Sequence, residues 1–253
     1  MKKFIKLTAL VLAVLMLALS FAACTDNGAE VTDGKKVLKM GTNAAFPPYE
    51  FKEGEDFVGI DVEIAQAIAA ELGCELEIVD MEFDSIITAV NQGEVDFGMA
   101  GMTVTEERLK EVDFTSSYAT GVQSVIVPKG SAIASIDDLA GKKIGVQLGT
   151  TGDIYASGDY GDDNVIKYGK GADAVIALKG GDVDAVIIDN EPAKAFVAEN
   201  EGLTILGTEY AVEDYAIAIK KGNELLDDIN SALEKLTTDG KIDEIIAKFI
   251  KAE

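Results

Sequence analysis

The sequence predicts an α/β fold built mainly on parallel strands, and three observations support this prediction. Apolar segments rich in Val and Ile alternate with segments whose apolar residues recur at helical spacing, which is the order of strand–helix–strand units. One such series covers 37–100, and a second begins at 143. The stretches 89–96 and 177–184 also resemble each other, since both pass through glycine into an apolar strand, which hints at repeated construction.

The expected elements follow from apolar spacing and from residues that cap or end helices. The expected strands are 37–41, 57–60, 76–79, 95–100, 143–147 and 186–188, with longer extended segments at 117–127 and 212–219. The expected helices are 62–72 with Asp61 as its cap, 83–91, one beginning near 105, a short one after Ser135, one opening in the loop 148–153, one beginning near 192, and the pair 224–236 and 240–249.

The first 36 residues are expected to lie outside this fold. A start with three lysines precedes an apolar run at 7–19 that is too short to span a membrane, and small residues follow. We therefore expect residues 1–23 to be a secretory signal and residues 24–36, which are polar and without periodicity, to begin a flexible tether. Because Cys24 directly follows two alanines, the site is similar to the lipid-attachment site of bacterial lipoproteins; ordinary cleavage near Ala23 is the alternative.

Charge and composition exclude several classes of function. The net charge of −23 argues against nucleic acid or an anionic membrane surface as a partner. The absence of histidine excludes Ser-His-Asp and Cys-His catalysis and histidine metal sites, and we expect no metal and no cofactor. Carboxylate chemistry is still available. If Cys24 is lipidated, Cys74 is the only other thiol, so the exported fold would be stabilised by its core and not by a disulfide.

Arg108 is the only arginine in the chain, and it follows the strand expected at 95–100. Arginine suits two-pronged recognition of a carboxylate or phosphate, and ligands of open α/β sheets bind at the C-terminal ends of strands. Gly101 is expected to leave neighbouring backbone amides free, so these amides, the Thr103 hydroxyl and Arg108 can converge on one carboxylate. A surface arginine in the first turn of a helix, capped by Thr105, is the alternative.

Asp189 ends the second apolar strand at the corresponding place in the second series. It is expected either to cap the helix that begins near Pro192 or to pair with an ammonium group. One strand end thus offers a cation and the other an anion. In the proline-rich loop near the start, Phe46 and Tyr49 are expected either to plug the core or to form a ligand wall, and both readings stay open.

Six stretches, taken together and in order, carry a resemblance to a known family. They are 41–51 (GTNAAFPPYEF), 58–62 (VGIDV), 99–108 (MAGMTVTEER), 112–118 (VDFTSSY), 145–153 (GVQLGTTGD) and 184–189 (DAVIID). Over 37–250 the chain resembles the bacterial ABC-transporter substrate-binding proteins for polar amino acids, the extracellular solute-binding protein family 3, in a lipoprotein form. The resemblance implies a two-lobed periplasmic-binding-protein-like fold of type II, each lobe a mainly parallel sheet flanked by helices. Two extended crossovers would join lobe 1 (37–120 plus 216–253) to lobe 2 (121–215).

The resemblance also implies roles for site residues, with the ligand between the lobes. The family's carboxylate-binding arginine falls on Arg108, its hydroxyl partner on Thr103 and its ammonium-pairing aspartate on Asp189. The position of Gly101 supplies a backbone carbonyl to the ammonium.

Further matches concern the ligand side chain. Phe46 and Phe83 match two aromatics that enclose it, and Gln147 and Thr150 match contacts from the second lobe. Asn43 stands where some relatives selective for cationic side chains have an acid, which weakens the case for a basic ligand. Tyr49 is a further candidate for the pocket wall.

The function implied is that of a monomeric receptor on the extracytoplasmic face of the cell membrane, anchored by lipid at Cys24. It would bind a free polar L-amino acid and hand it to an ABC permease and its ATPase, without catalysis. The alternative is an enzyme on the same fold, similar to a cyclohexadienyl dehydratase, which uses carboxylates and no metal.

Overall fold

The computed structural model describes residues 31–32, 35–207 and 210–251, and these form two sheet-rich lobes of mixed α/β structure. The predicted fold class is therefore confirmed, while the predicted signal and Cys24 lie outside the described residues. The strands are β1 (Val31–Thr32), β2 (Lys35–Thr42), β3 (Ala45–Phe46), β4 (Glu50–Glu53), β5 (Asp56–Val58), β6 (Glu75–Asp80), β7 (Phe97–Gly98), β8 (Val112–Phe114), β9 (Ala119–Pro128), β10 (Ile144–Gln147), β11 (Val165–Tyr168), β12 (Ala185–Asp189), β13 (Leu203–Ile205), β14 (Ala211–Tyr215) and β15 (Ala218–Lys220). The helices are α1 (Ile60–Glu71), α2 (Ile86–Gln92), α3 (Arg108–Glu111), α4 (Thr151–Tyr160), α5 (Gly171–Gly180), α6 (Asn190–Glu199), α7 (Leu225–Thr238) and α8 (Lys241–Phe249).

The first lobe is built on the sheet β1-β2-β7-β15-β8, with β6 also paired to β2. Strand β2 runs parallel to β6 and β7, whereas β15 is antiparallel to β7 and β8. Because β15 comes after all strands of the other sheet, the chain leaves this lobe and returns to it.

The second lobe is built on the sheet β11-β10-β12-β9-β13, with β14 also paired to β9. Strand β10 is parallel to β11 and β12, and β9 is antiparallel to β12. The segments that lead out of and back into the first lobe, β9 and β14, pair antiparallel from Ala119↔Tyr215 to Gln123↔Ala211. The exact lobe boundaries stay a prediction.

The parallel strands of both lobes point their C-terminal ends at the space between the lobes. Asn43 follows β2 and Gly101 lies shortly after β7, while Gln147 and Asp189 end β10 and β12. This is the edge at which open α/β sheets bind ligands. The sheet topology thus brings together residues that are far apart in sequence.

Two local expectations were wrong. Helix α1 begins at Ile60 with Gly59 as its N-cap, so Asp61 lies inside the helix and is not its cap. The Asp61 carboxylate instead accepts hydrogen bonds from the Gly101 N–H and the Tyr118 hydroxyl, both at 2.8 Å. The strand expected at 95–100 is reduced to Phe97–Gly98, because the chain beyond it turns toward the space between the lobes.

None of the described helices is long and apolar enough to cross a membrane.

Candidate ligand-binding site

A cavity lies between the two lobes, and its empty space, counted together with solvent at its opening, is about 310 Å³. Its walls carry nine of the ten ligand-binding residues expected from the sequence. The lining residues are Asn43, Phe46, Glu50, Phe83, Ala100, Gly101, Thr103, Arg108, Gln147, Thr150, Thr151 and Asp189. Among these residues Glu50, Arg108 and Asp189 are the charged ones.

Arg108 is buried, with 7% of its surface exposed, so it is not an idle surface arginine. Its guanidinium donates one hydrogen bond to the Thr103 carbonyl at 2.7 Å and another to the Gly149 carbonyl of the second lobe at 3.0 Å. Its central carbon lies 5.2 Å from the centre of the Phe83 ring. Burial lowers the pKa of Arg108, against the opposing charges of Glu213 and Asp189. Since a guanidinium carries five N–H donors, donors remain for an anionic ligand group.

Asp189 is buried at the end of β12 and accepts a hydrogen bond from the Tyr215 hydroxyl. Although it occupies the N-cap position of α6, its side chain makes no capping hydrogen bond, so the carboxylate is not used by the helix. Burial raises the pKa of Asp189 to about 7, and the nearby negative charge of Glu213 adds to the rise. A positive ligand group beside Asp189 would favour its ionised form.

Two hydrogen bonds join the lobes across the cavity. One is the bond from Arg108 to the Gly149 carbonyl. The other runs from the Gln147 side-chain amide to Oδ1 of Asn43 at 2.9 Å. The Asn43 amide in turn donates to the Met81 carbonyl at 2.7 Å, which holds its oxygen toward Gln147. The described conformation is therefore one in which the lobes touch.

The aromatic residues occupy different layers of the wall. Phe46 and Phe83 line the cavity. Tyr49 does not line it; the Tyr49 ring stacks on Phe46 at 5.9 Å and meets Tyr215 edge-on at 5.2 Å. Tyr49 thus supports the wall from behind.

Gly101 has a positive φ of 51°, and a Cβ there would come within 3.0 Å of the Phe46 ring. Glycine therefore allows the backbone to approach the Phe46 ring closely at this position. The amide of Gly101 itself donates to Asp61, so it is not available to an anion, whereas the expectation concerned the amides of its neighbours. Its carbonyl remains the group that the family resemblance assigns to the ligand.

The second-lobe residues Thr150 and Thr151 both line the cavity, but their hydroxyls already have partners. Thr150 caps α4, accepting from the Asp153 N–H at 3.3 Å and donating to the Gln147 carbonyl at 2.8 Å. The Thr151 hydroxyl donates to Glu213 at 3.0 Å. Thr151 was not expected from the sequence.

Sequence reasoning also missed Glu50, which lines the cavity and is only 1% exposed. Neither of its carboxyl oxygens has a hydrogen-bond donor among the described residues. The available signal was an acid directly after the proline-rich loop, in the stretch 41–51 that carries the family resemblance. Nothing in the sequence indicated that this acid would be buried.

In the described part of the chain, no group of three or more His, Cys, Asp or Glu residues is placed to hold a metal ion.

The chain was compared with known proteins. Residues 38–252 match the family model of bacterial extracellular solute-binding proteins, family 3. The chain is 38% identical to the arginine-binding extracellular protein ArtP of Bacillus subtilis (strain 168), over 100% of each chain. The structure is similar to that of the arginine-, lysine-, histidine-binding protein ArtJ of Geobacillus stearothermophilus, with a TM-score of 0.83 and 33% identity over 86% of this chain and 96% of that one. It is also similar to an ancestral arginine-binding protein bound to glutamine, with a TM-score of 0.81 and 43% identity over 85% and 98%.

Three findings agree. The cavity lies at the C-terminal ends of the parallel strands, the family model covers nearly all of the described residues, and a relative matches over its full length. The chain belongs to the bacterial extracellular solute-binding proteins of family 3, as its motifs predicted.

Proposed function

We propose that the protein holds one free L-α-amino acid between its lobes, with Arg108 on the α-carboxylate and Asp189 on the α-ammonium. The single observation that carries this assignment is the pair of opposite buried charges on facing walls of one cavity. An α-amino acid is the small solute whose two ends match such a pair. Because the two anchors belong to different lobes, the ligand favours the closed form through contacts that only that form makes.

The magnitudes are consistent with a transport receptor. A hydrogen bond to a charged group contributes about 1.5–3 kcal/mol net, and micromolar affinity requires about −8 kcal/mol. Two charged ends, together with enclosure of the side chain between Phe46 and Phe83, reach this range after the costs of ordering are subtracted.

The first candidate ligand is L-arginine, because a full-length relative and several similar structures carry arginine in their names. The side-chain amides of Asn43 and Gln147 bond to each other, and each keeps one further N–H and one oxygen lone pair for a long polar side chain. A neutral analogue such as glutamine is the second candidate, because a similar arginine-binding protein is described as bound to glutamine.

The receptor would deliver its ligand to an ABC permease and its ATPase, as a monomer on the extracytoplasmic face of the membrane. A lipid on Cys24 would hold it there, and the mass of the N-terminal peptide of the exported protein reports whether that lipid is present. Binding without turnover is favoured over dehydratase activity, because curated relatives such as ArtP and GlnH of Bacillus subtilis are named as binding proteins.

The proposed ligand class is tested by calorimetric titration of the purified protein with each of the twenty L-amino acids. We expect micromolar or tighter binding of arginine, weaker binding of a few polar amino acids, and no detectable binding of D-arginine. Failure of every amino acid to bind, or conversion of prephenate or arogenate into an aromatic product, would contradict the proposal.

A further inference from the structure

Five large apolar side chains in the described part of the chain are at least 40% exposed: Leu109, Leu148, Ile154, Ile176 and Val212. Exposed apolar residues that occur singly are normal on a protein surface and need no explanation. Three of these five, however, belong to short segments that flank the contact between the two lobes. An apolar surface gathered at one place and surrounded by polar residues is typical of an interaction site.

The contact between the lobes lies one residue away from two of these side chains. The Arg108 guanidinium of the first lobe donates to the Gly149 carbonyl of the second lobe at 3.0 Å. Leu109 follows Arg108 on α3, and Leu148 directly precedes Gly149. A Cβ on Gly149 would also come within 3.0 Å of the Cβ of Asp84, so this loop lies against the first lobe at a second point.

Ile154 extends the apolar surface on the second lobe. It lies in the first turn of α4, where its amide donates to the Thr150 carbonyl at 3.1 Å, and the preceding residues 151–153 are buried. Leu109, Leu148 and Ile154 are called the seam patch below. Because Leu109 belongs to the first lobe and the other two to the second, the seam patch is brought together only when the lobes touch.

Exposed acids outnumber lysines beside the seam patch. The acids next to Leu109 and along the contact between the lobes are Glu82, Asp84, Glu106, Glu107 and Glu111. Lys110 is paired with Glu107 at 3.7 Å. Lys170 follows Gly169, where a Cβ would lie 3.1 Å from Oε2 of Glu82. Five acids against two lysines give this rim a net negative charge, which favours a partner surface rich in lysine or arginine.

We propose that the seam patch is the docking surface for the membrane permease, and that the permease segment bound there carries apolar side chains flanked by lysine or arginine. The proposal rests on the proposed function as the receptor of an ABC importer. A second copy of this chain is a poorer partner, because it would bring the same acidic rim against this one, and like charges placed together oppose association.

The position of the seam patch also couples docking to ligand binding. Arg108 lines the cavity, and the next residue, Leu109, belongs to the patch. Gln147 and Thr150 line the cavity on either side of the segment that contains Leu148. A ligand that closes the lobes therefore brings the two halves of the patch together, and a partner that binds both halves stabilises the closed form in turn.

The test compares transport with ligand binding, because residues that only dock the permease should affect transport alone. Variants are produced in cells of the source bacterium that lack the chromosomal copy. Uptake is measured with the radiolabelled amino acid that binds most tightly in calorimetry, L-arginine by expectation, at a concentration well above its Kd. We expect Leu109→Ser and Leu148→Ser each to lower initial uptake at least about fivefold and to leave the affinity of the purified protein within about threefold.

Two matched controls separate the patch from general effects of the substitutions. Ile176→Ser removes an even more exposed apolar side chain from α5 and should transport like the wild type. Glu106→Lys reverses a charge of the rim and should also lower uptake at least about fivefold. Glu234→Lys makes the same change in net charge at an exposed position of α7 and should not.

The outcomes separate this inference from the function on which it rests. Uptake with Leu109→Ser and Leu148→Ser that equals uptake with Ile176→Ser would overturn the docking surface, and so would an equal loss of affinity and uptake. Light scattering that shows a ligand-dependent dimer of the wild type, abolished by Leu148→Ser, would assign the patch to a second copy instead. In these cases the receptor function stands. If no amino acid binds the wild-type protein, or if the wild type binds one and supports no uptake, the proposed function itself fails.

Discussion

At the scale of single residues, the site is a set of buried charges that are incompletely paired. Asp189 illustrates this, since it has the Tyr215 hydroxyl as a donor but also faces Glu213, another buried acid. Unpaired buried charge is costly, and a ligand that supplies the opposite charge removes that cost. Only a ligand whose charged groups lie beside Arg108 and Asp189 can remove this cost.

The titration of Asp189 predicts how binding depends on pH. Its pKa is raised to about 7 by burial and by Glu213. A ligand ammonium requires the ionised form, so binding strengthens as pH rises through this value and weakens by up to about tenfold per unit below it. Calorimetry between pH 5 and 8.5 measures this pH dependence of the affinity. The ligand is L-citrulline, which has nearly the shape of arginine but no side-chain charge, so the side chain does not contribute.

Glu213→Gln provides the matched comparison for that profile. Removing the nearby negative charge should lower the pKa of Asp189, so the midpoint of the affinity profile should move to lower pH. Affinity that is flat across this range, or a midpoint that does not move, would contradict the role given to Asp189.

At the scale of elements, the two crossover strands β9 and β14 connect the lobes and also support the site. Tyr215 ends β14 and reaches Asp189, while the Gln123 side chain of β9 donates to Glu213 of β14 at 3.0 Å. The strands pass closely, since a Cβ on Gly121 would lie 2.2 Å from the Tyr215 ring. No side chain fits there without moving Tyr215.

Gly121→Ala should therefore displace Tyr215 and with it the hydrogen bond to Asp189. Overpacking of this kind costs about 1–3 kcal/mol, which lowers Tm by roughly 2–4 °C per kcal/mol for a chain of this size. We expect a lower Tm in a thermal melt together with at least tenfold weaker ligand binding.

Gly158→Ala is the control, because nothing lies within 4 Å of a Cβ at that helical position. It should leave the affinity unchanged and keep or raise Tm, since alanine favours helix. A Gly121→Ala protein that melts and binds like the Gly158→Ala protein would contradict this account of the crossover.

The sequence predicted those elements whose signal is local. The closing helices α7 and α8 were predicted from apolar residues at helical spacing, and both bury those residues. The strand at 95–100 was predicted too long, because its end is set by distant contacts. Residues 100, 101 and 103 leave the sheet to line the cavity, and the amide of Gly101 bonds to Asp61, 40 positions earlier.

At the scale of the whole molecule, the site exists only where the lobes face each other. Arg108 comes from the first lobe and Asp189 from the second, and both were predicted from their places at strand ends and from the family motifs. Glu50 was not predicted, because nothing local in the sequence indicated that it would be buried at the cavity between the lobes. The acids that raise its pKa, Asp61 and Asp189, come from distant helix α1 and strand β12, and neither spacing nor composition encodes that proximity.

The most direct test of the central claim compares L-arginine with its decarboxylated amine, in the wild-type protein and in Arg108→Lys. If Arg108 binds the ligand carboxylate, the wild-type protein should bind the amine about 10–100-fold more weakly than arginine. This is the range expected when one charge-assisted hydrogen-bonded contact is lost. Arg108→Lys should weaken arginine binding by a similar factor and leave amine binding unchanged. Lys110→Ala, on the exposed side of the same helix, serves as the control. Arginine binding that survives Arg108→Lys unchanged, or an equal loss for both ligands, would contradict the claim.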